Sequence, residues 1–93
     1  MTQHKAKIIN RLGMHARPSA MFVTHASKFK SEIFVEKIGY NIKVNGKSIM
    51  GVMMLAAAKG EELLIYAEGE DEKDAAKALA KLVSSGFGEL KDL

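Results

Sequence analysis

The sequence predicts an α+β fold in which three helices cover one face of a four-stranded antiparallel sheet, in the order βαββαβα. Three observations lead there. Four short segments alternate apolar and polar residues, the period of a half-buried strand, and three others repeat apolar residues with the period of a helix. Turn residues separate these segments. A chain of 93 residues has material for a single core and little more, so residues 1–93 are read as one domain. There are no repeats, linkers or low-complexity tracts.

Gln3–Ile9 reads as an edge-type strand with Ala6 and Ile8 on one face. After the Gly13–Pro18 turn a helix runs to about Phe29. On it Phe22, Val23, Ala26 and Phe29 share an apolar face, while Arg17, Met21, Thr24 and Lys28 fall opposite. Met21 is therefore an apolar residue on a polar face. Ile33–Ile38 is a strand with Ile33 and Val35 inward, and Tyr40–Val44 follows with Ile42 and Val44 inward. Asn45-Gly46 could open a hairpin, but "SIMGVMML" has helical spacing, so "NGKS" leads into a short helix over about Ile49–Ala57. Gly60 ends it. Glu62–Ala67 is a strand with Leu63, Ile65 and Ala67 on one face. The last helix, from near Asp71 to Ser85, opens on Asp71, Glu72 and Asp74, which suits the positive end of the helix dipole. Ala75, Leu79, Leu82 and Val83 form its buried stripe, and Gly86 its stop.

Composition narrows the function. Apolar residues make up 47% and charged residues 27%, the balance of a soluble globular protein. The longest apolar stretch, "IMGVMMLAAA" at 49–58, is about half of the roughly 20 residues a membrane span needs. "MTQHKAK" lacks the apolar core of a signal peptide, so a cytoplasmic location is expected. The absence of cysteine excludes disulfides and thiolate metal sites, and His4, His15 and His25 lack zinc-site spacing. No metal and no cofactor are expected. The net charge of +3 could suit nucleic acid, but basic residues are spread among acidic ones. A nucleic-acid-binding sheet would also interleave basic and aromatic residues; Phe34 and Tyr66 are read instead as shielding an open side of the sheet.

Chemistry concentrates in "GMHARPS". Pro18 suits the first turn of a helix, where a missing N–H costs little. His15 then falls at or just before the N-cap, among free backbone donors and at the positive end of the dipole, which is a natural anion site. A neutral imidazole nitrogen is nucleophilic near pH 7. If His15 attacks a phosphoryl group, the product's oxygens meet N–H groups and the Arg17 guanidinium. A histidine that merely caps the helix, beside a solvated arginine, is the bland alternative.

"NGKSIMG" invites a phosphate-binding loop, but the first glycine of G-x-x-x-x-G-K-S would be Asn41, and the match fails. What remains is Ser48 at an N-cap, with Ile49 and Met50 exposed in the first turn; capping alone would explain the serine. Met21, Ile49 and Met50 are read as an apolar patch around His15 that docks partners, the alternative being half-buried core.

"GMHARPSA" and "KSIMGVMMLAAAKG", in that order, resemble HPr, the histidine-containing phosphocarrier of the bacterial phosphoenolpyruvate-dependent phosphotransferase system. The resemblance covers essentially the whole chain and implies an open-faced β-sandwich. It implies that enzyme I phosphorylates His15 on Nδ1, that Arg17 stabilises the group, and that a IIA-type protein receives it. It also implies that Ser48 is a regulatory phosphorylation position, with a serine kinase/phosphorylase and a transcription regulator as further partners. The carrier would be a stoichiometric intermediate and not an independent catalyst, without nucleic-acid or membrane partners, and a monomer. With both His15 and Ser48 present, the chain does not resemble relatives that have lost the histidine and only regulate transcription. Met14 stands where leucine is common. "VEKIGYNIKVNGKS" is about two residues longer than in sugar-type members and, with "SSGFGEL", resembles the nitrogen-related branch; "KSIMG" leans toward members read by a serine kinase. Both branches stay open.

Overall fold

The computed structural model describes residues 1–89. Its elements are β1 (Thr2–Lys7), α1 (Ala16–Ala26), β2 (Glu32–Lys37), β3 (Ile42–Asn45), α2 (Ile49–Met54), β4 (Glu62–Glu68) and α3 (Glu72–Ser84), followed by a 3₁₀ turn at Gly86–Gly88. The strands form one sheet in the order β1-β4-β2-β3, with every neighbouring pair antiparallel. The βαββαβα order and the open-faced sheet are as expected.

Strand alternation decides which face is covered. Ala6, Ile33, Val35, Leu63, Ile65 and Ala67 are buried on the helix side, against Phe22 and Ala26 of α1, Val52 of α2, and Ala75, Ala76, Leu79 and Val83 of α3. Leu82, expected in the buried stripe of α3, is only partly buried against it. On the opposite face Phe34 pairs with Tyr66, and both are half-buried. Lys43 Nζ lies 4.1 Å from the Tyr66 ring centroid and 5.5 Å from that of Phe34, and Tyr66 Oη donates to Glu36 at 2.6 Å. The rings are covered by the chain's own cation and not left open for stacking on a base.

Most boundaries shift by one or two residues, β1 ending at Lys7 and not Ile9, and three shifts have a clear backbone reason. α1 ends at Ala26 and not Phe29, because Lys28 and Phe29 donate to His25 and Ala26, closing three-residue turns. α2 stops at Met54 and not Ala57, since Ala56 adopts φ 47° in the left-handed region. β3 begins at Ile42 and not Tyr40, after a turn with positive φ at Gly39 and Asn41. Ile42 is also 37% exposed, not buried. Its register with Lys37 puts it on the helix side, but it starts a four-residue edge strand where solvent reaches its flank.

Two close approaches hold the loop before α1. Met14 N–H donates to Ala57 O at 2.9 Å, and a Cβ on Gly13 would sit 2.3 Å from that same oxygen. Gly13 also has φ 63°, so only glycine fits without a shift. Ser19, fully buried, returns Oγ–H to Met14 O at 3.1 Å. The loop is thereby pinned between α1 and the segment after α2.

Candidate functional site

His15 is the N-cap of α1, with extended backbone, and its carbonyl accepts the first helical bond from Ser19 N–H at 3.0 Å. Its side chain makes no capping bond, so the bland capping role does not explain the ring. The N–H groups of Ala16 and Arg17 stand in the first turn, where no intrahelical acceptor exists, and Pro18 is buried where its missing N–H costs nothing. The start of α1 is electropositive by construction.

The ring faces a carboxylate that sequence reasoning missed. Nε2 of His15 lies 3.0 Å from Oε2 and 3.2 Å from Oε1 of Glu89. Arg17 Nη1 is 3.9 Å from Oε2, a long and exposed contact of little energetic weight. Asn10, also missed and fully buried, donates Nδ2–H to Glu89 Oε1 at 2.9 Å. Burial pushes the Glu89 carboxyl up, but hydrogen bonds from Asn10 and His15 and the charges of His15 and Arg17 outweigh it, so its pKa is lowered below the usual range. An ionised carboxylate can only accept, which places the proton of a neutral His15 on Nε2 and leaves the lone pair on Nδ1.

Glu89 arrives there through the turn after α3. Gly86 and Gly88 have φ 79° and 75°, and Phe87 adopts φ 56° while burying its ring in the core. A left-handed phenylalanine costs about 1 kcal/mol or more, offset by burying a side chain whose loss costs about 3–5 kcal/mol. Phe87 thus anchors the turn, and Glu89 N–H closes it on Gly86 O at 2.9 Å.

Ser48 is the N-cap of α2, its Oγ accepting from Gly51 N–H at 3.1 Å. Ile49 and Met50 are 44% and 74% exposed, as expected. Met21 is not: it is half-buried and packed against the core. Leu12, Met53 and Met54 are large, exposed and apolar in the loop before α1 and the last turn of α2, and were not anticipated. Met53 and Met54 belong to the helical pattern that sequence reasoning assigned to structure, which hid their exposure. Among the described residues no cluster of His, Asp and Glu could hold a metal ion, and no helix is long and apolar enough to cross a membrane.

A family model described as the PTS HPr component phosphorylation site matches residues 2–85. The chain belongs to the HPr family. The HPr phosphocarrier protein of Neisseria meningitidis serogroup A is 51% identical over 96% of this chain and 98% of its own. The HPr-like protein Crh of Bacillus subtilis is 47% identical over 89% of this chain and 95% of its own. A solved structure of HPr from Thermoanaerobacter tengcongensis superposes with a TM-score of 0.89 at 52% identity, covering 96% of this chain and 98% of that one. HPr proteins are phosphocarriers of the phosphotransferase system and not catalysts, and that is the class of this chain.

Proposed function

We propose that enzyme I, charged by phosphoenolpyruvate, transfers a phosphoryl group to Nδ1 of His15, which then passes it to a IIA-type protein. The observation that carries this reading is the Nε2–Glu89 contact, which leaves Nδ1 with its lone pair beside the start of α1. The Nδ1–phosphorus bond forms as the bond from phosphorus to the donor breaks. The ring, still carrying Nε2–H, becomes cationic, and the facing carboxylate stabilises that charge. The phosphoryl oxygens meet the first-turn N–H groups and Arg17, whose contact with Glu89 is loose enough to release. With 34% of its side chain exposed, His15 is open to two partners in turn.

Ile49 and Met50, with Leu12, Met53 and Met54, supply the docking surface in this reading, and Met21 supports it from beneath. Ser48 is the regulatory position, for a serine kinase/phosphorylase and a transcription regulator. The carrier works in the cytoplasm, as a monomer, without a cofactor.

Incubation with enzyme I and radiolabelled phosphoenolpyruvate tests the assignment. The label should be acid-labile and alkali-stable, unlike phosphoserine, and His15→Ala should abolish it while the fold persists. Label on His4 or His25 of the wild type overturns it. Arg17→Ala should slow transfer without abolishing it, because the backbone donors remain.

A further inference from the structure

We propose that Asn10 is a positioning residue for the accepting ring: it fixes Glu89, which holds His15 with Nε2–H donated and Nδ1 free. The inference rests on the carrier reading above and assigns a role to a residue outside both sequence motifs.

Asn10 is fully buried in the loop before α1. Its Nδ2 donates to Gly13 O at 2.9 Å and to Glu89 Oε1 at 2.9 Å. Neither acceptor has a proton to give, so the amide orientation is forced and both of its hydrogens are used. Its Oδ1 is left buried without a partner among the described residues. An orphaned acceptor is destabilising, so packing alone does not account for an asparagine here. The two donated bonds do. They tie the Gly13 turn, which carries His15, to a carboxylate 79 residues away. Without the amide, Glu89 would be oriented, among the described residues, only by the ring it is meant to hold and by Arg17 at 3.9 Å. Both Glu89 oxygens lie within hydrogen-bond range of Nε2, and the Asn10 bond to Oε1 is what limits rotation of the carboxylate.

The test reads the tautomer of His15 by long-range ¹H–¹⁵N correlation on unphosphorylated protein. Wild type should be dominated by the Nε2–H form. Asn10→Ala should lower the Nε2–H to Nδ1–H ratio by about 3- to 10-fold, the scale of weakening a charge-assisted bond, and slow phosphoryl acceptance by a similar factor. In a Glu89→Ala background, Asn10→Ala should change the ratio no further, because the relay is already cut. A wild-type ratio in Asn10→Ala overturns the proposal. Should that variant not fold, Glu89→Ala alone decides: it should shift one of the two Asn10 side-chain amide protons and leave the other, bonded to Gly13 O, in place. Both protons unmoved overturns the proposal. Tautomer and amide signals do not require phosphorylation, so failure of wild type to accept label would strike the carrier reading and not this relay.

Discussion

Nε2 of His15 lies 3.0 Å from Oε2 of Glu89, two residues 74 positions apart that only the completed fold brings together. The pair sets the two ring nitrogens apart: Nε2 holds the proton, and Nδ1 keeps the lone pair that the proposed phosphoryl transfer uses.

The first prediction follows from that division. Glu89→Gln keeps the shape but removes the charge that stabilises a cationic, phosphorylated ring. A hydrogen bond to a charged group contributes about 1.5–3 kcal/mol, and each 1.36 kcal/mol is tenfold. Phosphoryl acceptance from enzyme I should therefore slow by roughly 10-fold or more in single-turnover labelling, with Tm little changed. An unchanged rate would show that Glu89 is a bystander.

A second prediction concerns acid stability. Asp71 accepts from the backbone N–H of Lys30 and Ser31 and from the Ser31 hydroxyl, clamping the segment that enters β2 to the start of α3. The Ser31 hydroxyl is the main cause that lowers its pKa from 3.8 to about 2. Thr2 Oγ1, the Gly69 N–H and the N-terminal ammonium lower Glu72 from 4.5 to about 2. Folded-state values below the unfolded ones mean stability that is full above about pH 4.5 and lost as pH falls toward 2. Tm should fall through that window, and Asp71→Asn should lower Tm at pH 7 while making the acid limb shallower. A parallel acid limb in the variant would refute the clamp.

Local pattern made most of this fold legible. The inward residues of β2 and β4 follow strict alternation, and Phe22, Ala75 and Leu79 follow the helical period, because one face of each element is buried. Failures occur where a local rule meets a tertiary neighbour. Met21 sits on a polar face by periodicity, yet it is half-buried against the core. Lys37, a cation at an inward strand position, is buried with Nζ 3.9 Å from the Tyr40 ring centroid and 3.6 Å from Glu61 Oε1. The placement of His15, Arg17 and Ser48 at helix starts is readable because helix starts have local chemistry. That of Glu89 is not: a carboxylate 74 residues from its partner leaves no spacing to read. Asn10 looked like any residue entering a turn.

A third prediction separates the docking surface from the core beneath it. Met50 is 74% exposed on α2, so Met50→Glu should change stability by no more than about 0.5 kcal/mol. The same substitution should weaken binding to enzyme I, because a charge then faces an apolar pocket. Met21→Ala should do the reverse, costing roughly 1–2 kcal/mol, about half of the loss for a fully buried methionine, with a smaller effect on binding. Calorimetric binding and thermal melts on both variants check the pair; equal loss of stability in both would remove Met50 from the surface role.

The last prediction is that charge at Ser48 blocks partners and does not refold the protein. Ser48 Oγ already caps α2 through Gly51 N–H, so an anionic group there gains from the dipole and the first-turn donors. Local structure should persist or tighten. The added charge of a phosphate, about −1.5 to −2 near neutral pH, stands immediately before exposed Ile49 and Met50. Desolvating it against an apolar pocket, or facing it with acidic groups, opposes association by a few kcal/mol at most. A partner that offers arginines would instead be attracted, which turns a block into a switch. Ser48→Asp supplies one such charge. It should keep the circular dichroism spectrum and Tm, and slow transfer from enzyme I to His15 chiefly through weaker binding, so that raising enzyme I concentration restores the rate. A collapsed α2 signal would point to refolding, and an unchanged transfer rate would sink the blocking mechanism.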